Sequence, residues 1–386
     1  MSERRVLFIT GEYPPMRGGV GDYTARLVDA LDACGWRASV LTARSAATND
    51  PRVLPVVGRW DWSILRRLPR LIRSHGAAIV HIQYQTGAFQ MHPALSLLPR
   101  AIADRGRGPR VVTTFHDLLP PYLFPKAGPL RDRVTRCLAA GSDAVVATND
   151  ADFERLRSGW CPDPDHRLTL IPIGSNLPDP VEIDRAAVRA RLGIDPGEAA
   201  VGFFGFLGED KGLDTLLDAL DRAETPRLRL VLIGGGLPET DVANAGFQQW
   251  VEERLRRLRV PVTRAGHLTP GEAAEALAAV DLVVLPFRDG ASLRRGSLIA
   301  AIRAGAPVLT TAPESPETIL PFEGGESVWL VPAGNVEALR QSMDILLTHP
   351  LLRHRLAEAA LKVAAPFDWQ LIARRHSELY TRLLAA

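Results

Sequence analysis

Val6-Leu7-Phe8-Ile9-Thr10-Gly11-Glu12-Tyr13-Pro14-Pro15-Met16-Arg17-Gly18-Gly19-Val20-Gly21-Asp22-Tyr23 reads as a buried strand, a glycine-rich loop and the start of a helix. An unbroken apolar run of this length predicts a strand covered on both faces, as in parallel sheets. Gly18, Gly19 and Gly21 at a helix start let backbone N–H groups approach an anion closely, and the helix dipole favours negative charge there. Their spacing departs from the G-x-G-x-x-G of dinucleotide sites, which argues against hydride transfer. A plain strand-to-helix turn is the other reading of these glycines.

Outward from this stretch the pattern repeats. Ser39–Leu41, Ala78–Ile82, Val111–Thr114 and Ala144–Ala147 are further short apolar runs, separated by segments with apolar spacing near 3.6. The alternation pauses at Ile173-Gly174-Ser175-Asn176-Leu177-Pro178-Asp179-Pro180, whose prolines and glycine predict a linker. It resumes with Ala200–Phe204, Leu228–Ile233, Leu282–Leu285 and Pro307–Leu309, and a long amphipathic helix follows from Trp369 to Leu384. The expectation is an α/β protein of two Rossmann-like domains, 1–176 and 177–366, with parallel sheets facing across a cleft.

The bulk numbers agree with a globular chain. Of 386 residues, 46% are hydrophobic and 23% charged, and the net charge of +2 excludes a global field suited to nucleic acid. Through residue 180 there are 23 basic and 17 acidic residues, so the first half is the more cationic. Cys34, Cys137 and Cys161 fit neither a disulfide framework nor a zinc pattern, which points to the cytoplasm. Neither a membrane-spanning run nor a signal-peptide core is present.

Ligands of open parallel sheets bind beyond the carboxyl ends of the strands, and the remaining motifs lie there. Thr113-Thr114-Phe115-His116-Asp117 puts His116 at one strand end, suited to bond a sugar hydroxyl or carry a proton, or else satisfied by local backbone. In Phe204-Gly205-Phe206-Leu207-Gly208-Glu209-Asp210-Lys211-Gly212, Lys211 stands at a helix start beside Gly205 and Gly208. A lysine there adds to the dipole, which suits a bound anion such as a diphosphate leaving group. Leu285 to Ser297 brings Asp289, Ser292, Arg294 and Arg295 to another helix start at Gly296 and Ser297, again an anion site. Capping by Ser292 or Ser297 is the plainer reading. Ile233–Gly236 either edges the same region or only terminates a strand, and the backbone around His267, at another strand end, either reads a base or is structural. No histidine–carboxylate cluster has metal-ligand spacing, and no serine sits in a nucleophile elbow, so no metal and no cofactor is expected.

Trp60 to His75 has Arg66, Arg70 and Arg73 on one helical face, with Arg67 adjacent and Trp60 and Trp62 at the start. One reading is peripheral contact with an anionic membrane; the other is a solvated face, and Pro69 is expected to interrupt the helix.

These residues, taken in order, resemble the family-4 retaining glycosyltransferases of GT-B architecture. The resemblance rests on Glu12-Tyr13-Pro14-Pro15 with Gly18-Gly19-Val20-Gly21, His116-Asp117, Lys211-Gly212, Gly305-Ala306-Pro307-Val308, Val331-Pro332-Ala333-Gly334-Asn335, Trp369 and Tyr380. It implies an N-terminal acceptor domain joined by the last helix, 367–386, and a C-terminal nucleotide-sugar domain. The implied reaction moves a sugar from a nucleotide-diphosphate donor to a carbohydrate, lipid-linked or small-molecule acceptor, with retention and without metal. It also implies that Lys211 and the first-loop glycines hold the diphosphate and that His116 contacts the transferred sugar. The chain departs from the family where two glutamates eight residues apart are usual: Ser292 and Ala300 stand there, and Phe206 replaces an arginine. Arg294 or Arg295 is expected to compensate. The alternatives are a nucleotide-sugar-binding protein without turnover, or a sugar-nucleotide epimerase on the same architecture.

Overall fold

The computed structural model describes residues 4–16, 18–103, 108–118, 129–180, 182–205, 208–234, 245–266 and 268–385. They form two compact units, Met1–Ile173 with Asp368–Ala386, and Gly174–Phe367. Arg17, Phe206, Gly235, Gly236 and His267, singled out from the sequence, lie outside the described residues.

The first unit is built on β1 (Arg5–Thr10), β2 (Arg37–Ala43), β3 (Val53–Val57), β4 (Ile79–Tyr84), β5 (Arg110–Phe115), β6 (Ala144–Ala147) and β7 (Leu168–Leu170). All pair in parallel, in the order β3-β2-β1-β4-β5-β6-β7. Successive side chains of a strand point to opposite faces, and β1 is buried on both. Val6 and Phe8 join Tyr23 and Leu27 of helix Gly19–Asp32 and Ile372 and Tyr380 of helix Trp369–Ala385. Leu7 and Ile9 join Ile64, Leu68 and Ile72 of helix Ile64–His75 on the other face.

The second unit carries β8 (Ala199–Phe204), β9 (Leu228–Ile233), β10 (Val262–Arg264), β11 (Leu282–Leu285), β12 (Val308–Thr311) and β13 (Trp329–Val331). It too is all parallel, in the order β10-β9-β8-β11-β12-β13. Strand order reverses between β1 and β4 in one sheet and between β8 and β11 in the other. Loops diverge at such a switch point and leave a crevice for ligands.

One local expectation needs correction. The helix Ile64–His75 runs through Pro69 without a break. Proline removes one helical hydrogen bond there, but its ring is buried with Leu68 and Ile72 in the core, which offsets the loss. The first helix begins at Gly19, and a carboxylate serves its first turn.

Candidate functional site

In the first unit the glycine loop holds an anion of its own. Glu12 Oε1 accepts hydrogen bonds from the backbone N–H of Val20 at 3.0 Å and of Gly21 at 3.2 Å. Burial pushes the Glu12 carboxyl up, against the pull of those two amides and with the help of nearby Asp22. Gly18 makes room for it: a Cβ there would lie 2.2 Å from the Glu12 carboxyl. The amides of Val20 and Gly21 therefore serve a side chain of the same loop. A Cβ on Gly19 would meet nothing within 4 Å, so that part of the loop is the open one.

The same helix delivers Tyr23 edge-on to His116, with ring centroids 4.7 Å apart. The His116 backbone N–H extends the ladder past β5 to the Tyr84 carbonyl at 2.9 Å, which sets the ring at the sheet's carboxyl edge. Its Nε2 lies 2.8 Å from Gln83 Oε1. Burial, reinforced by His376, pushes the imidazole down to about 3, so it is neutral near pH 7. A neutral ring is suited to hydrogen bonding and is a poor proton donor. Asp117 Oδ1 accepts from Thr86 Oγ1 at 3.4 Å.

In the second unit the loops after β8 and β11 interlock at the switch point. Arg288 N–H donates to the Asp210 carbonyl at 3.1 Å, and its guanidinium bonds Asp214 Oδ2 at 2.7 Å. Gly212 caps the helix Leu213–Leu220 with φ +66°, and a Cβ there would stand 1.8 Å from the Pro286 carbonyl oxygen. Thr311 Oγ1 holds the Phe287 carbonyl at 2.7 Å. Gly212→Ala should therefore cost about 3 kcal/mol or more, since backbone strain and overpacking act together. Urea unfolding reads this directly, and an unchanged midpoint contradicts the packing described.

This locking brings Lys211 and Arg295 onto one buried aromatic ring. Lys211 Nζ lies 5.8 Å and Arg295 Cζ 4.9 Å from the Phe287 centroid. Arg295 donates to both Asp210 and Asp289, and Lys211 Nζ lies 3.0 Å from Asp210 Oδ2. Burial and then the Arg295 charge pull the Lys211 ammonium down; Asp210 and Asp289 oppose this. Asp210 is held below its usual range because Lys211 and Arg295 outweigh its burial. Gly208 admits Asp210, since a Cβ there would stand 2.7 Å from its Oδ1. Two half-buried cations thus face two carboxylates that neutralise them, an arrangement that can exchange carboxylate for phosphate oxygens.

Of the other residues marked from the sequence, Arg294 is exposed and its N–H donates to Ser292 Oγ at 3.2 Å. Neither Ser292 nor Ser297 caps the helix Gly296–Arg303; Arg295 occupies the N-cap position, without a side-chain cap bond. Gly296 and Ser297 are half-buried at that helix start, and Gly205 follows β8 with open space where a Cβ would be. Ala300 is buried in the core. Phe287 and the bridging role of Asp210 had no sequence signal beyond their place in the loops. A cavity of about 430 Å³ is lined by Asp214, Arg288 and, from the Val331–Asn335 motif, Ala333 and Gly334. Among the described residues no group of three or more His, Cys, Asp or Glu side chains is placed to hold a metal ion.

Comparison with known proteins covers both units. Residues 18–174 match the glycosyl transferase 4-like domain, and residues 198–349 match the glycosyl transferases group 1. A GDP-mannose-dependent monoacylated alpha-(1-6)-phosphatidylinositol monomannoside mannosyltransferase of Corynebacterium glutamicum is 23% identical, over 97% of each chain. The phosphatidyl-myo-inositol mannosyltransferase of Mycobacterium leprae is 25% identical, over 94% of this chain and 92% of the relative. A D-inositol 3-phosphate glycosyltransferase of Stackebrandtia nassauensis is 31% identical over 60% of this chain, and the match spans 52% of that relative. Among solved structures, sucrose-phosphate synthase of Thermosynechococcus elongatus superimposes with a TM-score of 0.74 at 22% identity, covering 99% of both chains. HepE of Anabaena in complex with UDP and glucose gives 0.74 at 19% identity, over 98% of this chain and 100% of that one. With parallel seven- and six-stranded sheets and both family domains in order, this chain belongs to the family-4-like glycosyltransferases of GT-B architecture, which use nucleotide-sugar donors.

Proposed function

We infer that the chain transfers a hexose from a nucleoside-diphosphate donor to an acceptor hydroxyl, with retention of configuration and without a resident metal. The observation that carries this is the pairing of Lys211 and Arg295 on Phe287 between the loops of β8 and β11. As the glycosidic bond lengthens, negative charge accumulates on the diphosphate, and preorganised cations stabilise it at no reorganisation cost. The departing phosphate oxygen takes the acceptor proton on the same face, which accounts for retention without a protein nucleophile. His116, neutral and at a strand end, contacts the transferred sugar. GDP-mannose with an inositol-bearing acceptor is the first pair to test, because one relative matched along nearly its whole length is named for GDP-mannose and a phosphatidylinositol monomannoside, and another for mannosyl transfer to phosphatidyl-myo-inositol.

The test is nucleoside-diphosphate release from donor plus acceptor. Arg295→Ala should lower turnover about 100-fold, the scale of one lost charge-stabilising donor, while Arg294→Ala stays within about threefold. Equal rates for wild type and Arg295→Ala reject the compensation argument. A second reading, a nucleotide-sugar-binding protein without turnover, draws on Ser292 and Ala300 standing where the family usually has carboxylates. Donor binding without release under any acceptor supports that reading.

Membrane contact belongs to the same proposal. Arg66, Arg67, Arg70 and Arg73 are exposed on helix Ile64–His75, beside Trp62 at 56% and Leu71 at 39% exposure. A basic face with apolar anchors suits an anionic surface, each arginine contributing about 1 kcal/mol. Among the described residues no helix is long and apolar enough to cross a membrane. Flotation with anionic vesicles should fall with salt and in a triple alanine variant of Arg66, Arg70 and Arg73; flotation indifferent to anionic lipid removes the idea.

A further inference from the structure

A polar column crosses the otherwise apolar sheet face under helix Trp369–Ala385. Register sets Gln83 on β4 beside Thr10 on β1 and Thr114 on β5, and His81 shares its face two residues earlier. His81 is held at both nitrogens, with Nδ1 2.6 Å from the Tyr380 hydroxyl and Nε2 2.7 Å from Thr114 Oγ1. One step nearer the strand ends, Gln83 Oε1 meets His116 Nε2 at 2.8 Å. Gln83, His81, Thr114, His376 and Tyr380 are all fully buried.

Gln83 is costly where it is. Its side-chain amide sits in the core, and its Nε2 has no hydrogen-bond partner. An unsatisfied buried donor costs about 1–3 kcal/mol, and a leucine or methionine would avoid it. What the amide provides is a single acceptor aimed at one nitrogen of His116.

A carbonyl oxygen can only accept, so His116 carries its proton on Nε2, and its Nδ1 is a bare acceptor. Tyr23, packed edge-on at 4.7 Å, keeps the ring from turning. We propose that Gln83 is the positioning residue of His116: it selects the Nε2–H tautomer, so that Nδ1 accepts a hydrogen bond from a hydroxyl of the transferred sugar. The proposal rests on the reading of His116 given under Proposed function. It adds a specificity: the sugar must present a hydrogen-bond donor to that nitrogen. An analogue with fluorine in place of the facing hydroxyl is rejected, because it leaves the acceptor unpaired.

The deciding experiment compares wild type, Gln83→Met and Gln83→Glu. Methionine keeps the shape and removes the acceptor; glutamate keeps an acceptor oxygen and guards against a general packing defect. Histidine-labelled protein gives the His116 tautomer from its two ¹⁵N shifts, with His116→Gln for assignment, independently of activity. The expected result is a pure Nε2–H form in wild type and Gln83→Glu and a mixture in Gln83→Met. In Gln83→Met kcat should fall about 10- to 100-fold, as for one lost hydrogen bond, with KM for donor within about twofold. Wild-type tautomer in Gln83→Met overturns the positioning role, as does an Nδ1–H form in wild type. A changed tautomer with unaltered kcat leaves the positioning role standing and overturns the sugar contact of His116.

Discussion

Lys211→Ala should lower kcat about 100- to 1,000-fold while changing donor affinity less than about tenfold. The asymmetry follows from where the charge is when. In the ground state Lys211 is already paired with Asp210 at 3.0 Å, so the bound donor must compete for it. In the transition state the diphosphate carries more charge, and the competition turns in its favour. Position strengthens the effect. Lys211 is half-buried against Phe287, where water screens it less than at an open surface. Arg295 would remain in the variant, so the loss is that of one of two cations. Steady-state kinetics of nucleoside-diphosphate release, with donor affinity from titration, measure both quantities. A variant with wild-type kcat removes Lys211 from the chemistry.

The second large effect concerns acid stability of the first unit. His81 and His376 are fully buried, and burial is the leading cause that pulls both down: His376 to about 4, and His81 well below its ordinary value. His116, half-buried, moves the same way for the same reason. A histidine whose folded value is depressed costs nothing above its unfolded value near 6.5, where both states are neutral. As pH falls below about 6.5 the unfolded chain binds a proton that the folded chain refuses, so stability is lost until the folded value is reached. His376, at about 4, forfeits about 2 kcal/mol by pH 5, and His81 and His116 add to the loss in the same direction. Carboxylates such as Asp210, held low in the folded state, lose their contribution only at lower pH. Urea unfolding at pH 7 and pH 5 should show this drop, and His376→Gln should make it smaller by about 2 kcal/mol. An unfolding free energy that is flat between pH 7 and pH 5 contradicts the buried neutral histidines.

The central strands were legible in the sequence because burial on both faces leaves an apolar run that nothing else produces. Val6–Ile9, Val111–Thr114 and Leu228–Ile233 each fall within an observed strand. The strands that the apolar runs leave unmarked, β3, β7, β10 and β13, all lie at sheet edges. Edge strands are short and half-exposed, and β3 even tolerates Pro55, so neither length nor alternation marks them. Pro69 misled for a related reason: packing decided the helix where propensity argued against it.

Site residues divide along the same physical line. Lys211 could be picked out because glycines and a helix start surround it in sequence. Arg294 and Arg295 could not be separated, since adjacent loop residues look alike until the backbone fixes which one meets Phe287. Phe287 itself reads as an ordinary core residue. Gln83 carries no mark in the sequence, because its partner His116 is 33 residues away and only strand register brings them together. Glu12 was part of the quoted stretch, yet its capture of the Val20 and Gly21 amides depends on a loop reversal that spacing alone does not reveal.

The most direct measurement is calorimetric titration of GDP against GMP, and of UDP against UMP, into wild type and a Lys211→Ala, Arg295→Ala double variant. With the two cations gripping the second phosphate, wild type should bind its preferred diphosphate about 10- to 100-fold more tightly than the monophosphate. The double variant should bind both alike, at the monophosphate's affinity. A double variant that keeps the full preference for diphosphate contradicts the account, for the pair of cations on Phe287 would then hold no pyrophosphate.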